Sequence, residues 1–203
     1  MRTIIPFTPR YPKSRLGGLL SGRERRAFAR VMLNDVLTAV DRGGGDPVIL
    51  TTESIPGIDW PQQIDERSLS TAVNAVIDPP VAVIMADLAL LTPATVERFL
   101  DTPGDIVIAP GRGGGTNALV IRSDRFEVDY HGNSLEDHRR IAMQIGLSVS
   151  EVDSLRLSTD VDEPSDLVEV LLHGRGETAT WLGEQGIVLH ETNGRVTVTR
   201  IHE

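Results

Sequence analysis

Three groups of residues in this chain have types and spacings that can do chemistry. The first is basic. Lys13 and Arg15 sit in Tyr11-Pro12-Lys13-Ser14-Arg15-Leu16, within a stretch over 8–18 that carries two prolines and the pair Gly17-Gly18. Of 20 basic residues in 203, Lys13 is the only lysine. An ammonium is a compact point charge, unlike a guanidinium. Its survival reads either as a phosphate site that needs it or as chance on a loop.

The second group is acidic. Asp87 follows the apolar run Val81-Ala82-Val83-Ile84-Met85, where a central strand should end and where open α/β sheets bind ligands. Asp160 and Asp162 alternate in Ser158-Thr159-Asp160-Val161-Asp162-Glu163-Pro164, so an extended backbone puts both on one face. Such carboxylates suit a hard cation such as Mg²⁺. The plain alternatives are that Asp87 caps a turn or faces water, and that Asp162 caps the helix opened by Pro164.

The third group holds Gly111-Arg112-Gly113-Gly114-Gly115-Thr116-Asn117. Its glycines make either a tight hairpin or a nest of N–H groups for phosphate oxygens. Ser134 follows at a helix start, a cap or an anion site. His138 lies one turn on, along the same side; alone, it reads as an ordinary helix histidine.

The elements that must position these groups follow from periodicity. Residues 2–7, 47–51 and 81–85 read as strands, with a short strand near Gln63-Ile64. Asp105–Pro110 and Ala118–Ile121 are two more. Ser21 with Glu24 is a capping box for a helix to about Val40, with Phe28, Val31, Met32, Asp35, Val36 and Val40 along one side. Ser68 or Ser70 starts a helix over 70–77, with Ala72, Val73, Ala75 and Val76 as its apolar side. Thr92-Pro93 starts one to Leu100, and Pro164 one to about 173. Leu147–Val152 and Leu155–Leu157 read as strands. Residues 187–201 spell a hairpin about Asn193-Gly194, either completing the sheet edge or pairing across a homodimer. Strands alternating with helices give an α/β chain with a three-layer, mostly parallel sheet, expected as one domain over 1–203 with the hairpin at 186–203.

Bulk properties narrow the classes. The formal net charge is −9 and no cysteine is present. A nucleic-acid surface is therefore not expected, and neither disulfides nor thiolate metal sites exist. No apolar run is long enough to span a membrane. A cytoplasmic location is expected, and the acidic balance suits high salt. There is no GxxxxGK[ST] and no GxSxG. No GxGxxG opens a helix after a strand.

The order PxKSRL, ADL after a buried strand, APGRGGGTNAL, YxGxS…H and DVDxPxDL resembles the 2-phospho-L-lactate guanylyltransferase (CofC) family of archaeal coenzyme F-420 biosynthesis. The resemblance covers residues 1 to about 172. That family has the nucleotide-diphospho-sugar transferase (glycosyltransferase-A-like) fold. The chain departs from the pattern at Leu88-Ala89, where Leu-Pro is common, and at Glu66–Thr71, so residues contacting base and ribose stay unassigned. The resemblance implies transfer of GMP from GTP to 2-phospho-L-lactate, giving lactyl-2-diphospho-5′-guanosine and pyrophosphate. It implies Lys13, Arg15 and Asp87 as catalytic residues, the two bases on the triphosphate. It implies Mg²⁺ on Asp87 with Asp160 or Asp162. Gly113, Gly114, Gly115, Thr116 and Ser134 would hold the acceptor phosphate, with Asn117 and His138 nearby. Same-fold enzymes using phosphoenolpyruvate or 3-phosphoglycerate, or an inactive nucleotide-binding module, are the competing expectations.

Overall fold

The computed structural model of the chain describes residues 1–10, 12–192 and 194–201, without the Thr192 side chain. Its centre is a seven-stranded sheet of β1 (Arg2–Phe7), β2 (Asp46–Thr51), β3 (Gln62–Ile64), β4 (Val81–Ile84), β5 (Ile106–Pro110), β6 (Thr116–Ile121) and β7 (Val149–Glu151). The order across it is β3-β2-β1-β4-β6-β5-β7. Every neighbouring pair is parallel except those of β6, which runs against both β4 and β5. That reversal matters for the site. Ala118 pairs with Ile84, and Thr116 with Pro110. The first residues of β6 therefore lie at the rim where β1, β4 and β5 end.

The period-two alternation of the strands divides the core. Ile5, Ile49, Ile84 and Val120 face α1 (Gly22–Arg42) and α3 (Pro93–Leu100). Ile4, Leu50, Val83 and Leu119 face α2 (Leu69–Asn74) and α4 (Ser134–Gln144). Burial of the two faces of the central strands, each on its own helical layer, is what makes a mostly parallel sheet stable. The Ser21 capping box forms: Ser21 N–H donates to Glu24 at 2.7 Å, and Glu24 N–H to Ser21 Oγ at 3.3 Å. Thr92 caps α3, accepting from Thr95 N–H.

A third cluster joins Leu16, Leu20, Phe28 and Met32 to Leu167 and Val170 of α6 (Pro164–His173), Leu182 of α7 (Glu177–Glu184) and Ile187 of the terminal hairpin. The hairpin, β8 (Ile187–Thr192) and β9 (Arg195–Arg200), forms its own two-stranded sheet and does not extend the large one. Gly194 has the positive φ, 74°, that such a turn demands; Asn193, expected beside it, lies outside the described residues.

Several expectations are corrected. Leu33 and Leu37 are buried on α1, whereas Val31 and Asp35 lie at its margin. α2 ends at Asn74, leaving Ala75 exposed. Leu155–Ser158 is a helical turn, α5, closed by Ser158 N–H to Ser154 O, and not a strand. α7 lies where the sequence suggested no element; its start is fixed from a distance, because Asp35 accepts from Glu177 N–H and Thr178 N–H at 2.9 and 2.8 Å. Among the described residues, no helix is long and apolar enough to cross a membrane.

Candidate active site

Lys13 leaves β1 in a left-handed conformation, φ 52° and ψ 46°, the one positive φ at a non-glycine among the described residues. That backbone costs about 1–2 kcal/mol for a residue with a Cβ. A 3-10 helix over Ser14–Gly18 follows, pinned by fully buried Leu16. Gly17 and Gly18 belong to that helix, so the strain falls on Lys13 and not on the glycine pair. The result turns the lysine inward. Its Nζ donates to Asp87 Oδ2 and to Asp162 Oδ1, each at 2.7 Å, and its side chain is only 11% exposed. Burial works against the Lys13 charge; the Asp87 and Asp162 carboxylates more than offset it, so its pKa lies above the ordinary lysine value.

Asp87 stands just past buried β4. Its Oδ1 is buried without a hydrogen-bond partner among the described residues. Its carbonyl accepts from Val161 N–H at 3.2 Å, tying the acidic segment to the strand end. In that segment Val161 is fully buried while its neighbours face the rim. Glu163 is the N-cap of α6, and Asp166 accepts from Asp162 N–H and Glu163 N–H at 3.0 and 2.8 Å. Capping is therefore done elsewhere, which leaves the Asp162 carboxylate to Lys13.

Asn117 is buried on β6. Both its amide hydrogens are used, on Leu157 O at 3.0 Å and Asp160 Oδ1 at 3.1 Å. Its amide thereby holds Asp160 in place. Gly111 makes room for it: a Cβ there would lie 2.5 Å from Asn117 Oδ1. Burial, followed by the nearby Asp87 and Asp162 charges, raises the Asp160 pKa despite that hydrogen bond.

Among the described residues, no three acidic or histidine side chains enclose a metal as they stand. The donor set nevertheless fits a hard divalent cation. Three carboxylates meet at one rim, and one buried oxygen lacks a partner; a carboxylate oxygen in that state is costly unless a charge arrives.

The glycine turn is both a hairpin, linking β5 to β6, and a partial nest. Gly111 N–H bonds to Gly115 O, Gly114 N–H to Gly111 O and Arg112 N–H to Ser158 O. The N–H groups of Gly113 and Gly115 donate to no acceptor among the described residues. Gly114, φ 83°, needs glycine. Behind the turn, Thr116 N–H donates to Ser134 Oγ at 3.0 Å, and Thr116 Oγ1 lies 2.9 Å from His138 Nδ1. Leu135 N–H reaches Gly114 O, joining α4 to the turn. Thr116, Ser134 and His138 are buried. Burial pulls the His138 pKa down to about 4, against the pull of Asp129 and Asp137, so the ring is neutral at pH 7.

Arg15 lies apart from this core, 69% exposed and 3.3 Å from Glu163. Two cavities of about 300 Å³ each open along the rim. One is lined by Lys13, Asp87, Asp162 and Met32. The other is lined by Thr51, Thr52, Asp65, Arg67 and Leu69, and the two share Pro6, Phe7, Thr8 and Met85. The second cavity went unread in the sequence. Asp65 and Arg67 follow β3 just as Asp87 follows β4, so the strand-end rule applied to a three-residue strand would have found them. Asp65 accepts from Arg67 at 2.9 and 2.5 Å. A larger cavity, about 670 Å³, lies between α1, residues 57–60 and the start of α7 and shares no lining residue with these two.

Comparison with known proteins adds to this geometry. A family model described as "Guanylyl transferase CofC like" matches residues 1–200. A 2-phospho-L-lactate guanylyltransferase of Halomicrobium mukohataei is 55% identical over 203 residues, covering 98% of this chain and all of the relative. One from Natronomonas pharaonis is 54% identical over 200 residues, covering 98% and 99%. Among solved structures, a provisionally assigned nucleotide-diphospho-sugar transferase of Desulfovibrio desulfuricans superposes with a TM-score of 0.73 at 16% identity, over 91% of this chain and 94% of that one. At that identity the likeness concerns the fold.

Proposed function

The chain belongs to the CofC-like guanylyl transferase family, and from that membership we propose how its rim performs the family's reaction. The protein is a nucleotidyltransferase of coenzyme F-420 biosynthesis. It transfers GMP from GTP to 2-phospho-L-lactate and releases pyrophosphate. An oxygen of the acceptor phosphate attacks the α-phosphorus. The bond to the β-phosphate oxygen breaks, and its electrons leave with pyrophosphate. An acceptor phosphate is already ionised at neutral pH, so no general base is required. The barrier is the approach of two anions, which positioning and positive charge lower.

Lys13 supplies that charge at a fixed point. An ammonium has three donors; two are given to Asp87 and Asp162, and the third is left for a phosphate oxygen. Arg15, on the exposed side, adds a second cation to the triphosphate. Asp87 with Asp160 or Asp162 would hold a divalent ion, Mg²⁺ in this reading, which would supply positive charge against that building on the phosphates. Asn117 keeps Asp160 aimed at that position. The guanosine lies in the second cavity, against Phe7 and Met85, with Thr51, Thr52 and the Asp65–Arg67 pair at its polar edge. Gly113, Gly115, Thr116 and Ser134 receive the acceptor's anionic end.

The observation that carries this reading is the meeting of Lys13 with Asp87 and Asp162, drawn from three distant parts of the chain. A panel of GTP, ATP, CTP and UTP against 2-phospho-L-lactate, phosphoenolpyruvate and 3-phosphoglycerate tests it by pyrophosphate release. GTP with 2-phospho-L-lactate is expected to be the fastest pair. Faster release with another acceptor would reassign the substrate, and none with any pair would leave a binding module.

A homodimer is part of the proposal. The terminal hairpin stands off the large sheet and exposes Leu189 and Val196. Light scattering should give twice the monomer mass for the wild type and the monomer mass for Leu189→Glu/Val196→Glu.

A further inference from the structure

His138 is enclosed by Phe126, by Tyr130, whose ring meets it edge-on at 5.1 Å, and by the backbone of Asp129. Asp129 N–H points at His138 Nε2 from 3.0 Å. An N–H can only donate, so Nε2 must accept and carries no hydrogen. A ring protonated on Nε2, alone or on both nitrogens, would set two donors head to head. The neutral ring therefore bears its single hydrogen on Nδ1, and Nδ1 donates to Thr116 Oγ1 at 2.9 Å.

That assignment propagates to the hydroxyls. Thr116 Oγ1 accepts from the histidine, so its own hydrogen must point elsewhere. Ser134 Oγ accepts from Thr116 N–H, and its hydrogen is likewise free. Neither hydroxyl hydrogen has an acceptor among the described residues. The unpaired N–H groups of Gly113 and Gly115 and the start of α4 lie beside them. The Thr116 and Ser134 hydroxyls and the Gly113 and Gly115 N–H groups are all able to donate, and an acceptor-only group such as a phosphate or carboxylate is the ligand chemistry that would pair with them.

We propose that His138 is a positioning residue for the acceptor: by donating from Nδ1 to Thr116 Oγ1, it holds the Thr116 hydroxyl as a hydrogen-bond donor toward the anionic end of the acceptor acid. This rests on the functional reading above and refines it, because His138 acts through Thr116 and does not touch the substrate. A histidine that merely filled space would leave the hydroxyl free to rotate into either role.

The test has two arms. Long-range ¹H–¹⁵N correlation on the ligand-free wild type reads the tautomer directly; the expected result is a hydrogen on Nδ1 of His138 at neutral pH. In kinetics, His138→Asn places an amide donor near the position of Nδ1, whereas His138→Gln carries its amide out to the position of Nε2 and His138→Leu has no donor. His138→Gln and His138→Leu are expected to raise KM for 2-phospho-L-lactate by about tenfold with KM for GTP unchanged, and His138→Asn to stay within about threefold of wild type. A hydrogen on Nε2, equal shifts in both KM values, or an Asn variant as impaired as the Gln variant overturns the proposal. If the Leu variant does not fold, the wild-type tautomer and the Asn–Gln pair still decide. A wild type that transfers GMP to no acceptor is a different failure, visible before any variant is made; it removes the functional reading and this inference with it.

Discussion

Lys13 Nζ stands 2.7 Å from Asp87 Oδ2, joining residues 74 positions apart across the rim of the sheet. The contact is held by a lysine backbone in a conformation that lysine disfavours. Strain of that kind persists only where surrounding structure fixes it, and here two carboxylates and buried Leu16 do so. The ammonium occupies the gap between acids that would otherwise repel one another.

Replacing Lys13 with alanine should therefore preserve the fold and slow turnover. A loss of at least about tenfold in kcat is expected, roughly 1.4 kcal/mol of barrier. Circular dichroism should show an unchanged fold. Full activity in Lys13→Ala would remove the ammonium from the mechanism.

The same substitution leaves Asp87 and Asp162 uncompensated. Their affinity for a divalent ion in the absence of nucleotide should rise, because an opposite charge has been withdrawn from both. Titration calorimetry with Mn²⁺ on wild type and Lys13→Ala checks this. Equal or weaker binding by the variant would show that the cation and Lys13 do not share these oxygens.

Asn117 holds Asp160 from beneath with one amide hydrogen and Leu157 O with the other. Removing it in Asn117→Ala leaves buried partners unsatisfied, at about 1–3 kcal/mol. Gly111→Ala should act on the same bond from the other side, since the new Cβ meets Asn117 Oδ1. Urea denaturation should place both variants below wild type, and both should lose activity. A Gly111→Ala enzyme with unchanged stability and rate would show that the turn yields freely.

The neutral, buried His138 gives stability a pH dependence of definite sign. Its pKa falls from 6.5 to about 4 on folding. Between those values the unfolded chain binds a proton that the folded chain refuses. The contribution is complete above pH 6.5 and is lost as pH falls toward 4, reaching about 3 kcal/mol. Unfolding midpoints measured across this range should fall with pH in the wild type and fall less in His138→Asn.

Much of this was legible in the sequence because it rests on local signals. The capping box at Ser21, the Thr92-Pro93 start, the buried run before Asp87 and the alternation of Asp160 with Asp162 are statements about neighbouring residues, and each corresponds to a structural element. The antiparallel course of β6 is a long-range pairing, yet it decides which residues of the glycine segment reach the rim. Asn117 shows the difference. Its type suggested a polar contact, and only the long-range placement of β6 against α5 shows that its amide bonds to Leu157 O and Asp160. α7 lacked a local signal because its N-terminus is capped by Asp35, 142 positions earlier. Leu155–Ser158 read as a strand because four residues are too few for helical periodicity to appear.

The most direct test of the reaction is a single-turnover mixture of enzyme, GTP, Mg²⁺ and 2-phospho-L-lactate followed by ³¹P NMR. Attack at the α-phosphorus should yield one new unsymmetrical diphosphate and one pyrophosphate for each GTP consumed, with neither in Asp87→Asn. Appearance of GDP with inorganic phosphate, or unimpaired diphosphate formation by Asp87→Asn, would contradict the assignment of this rim.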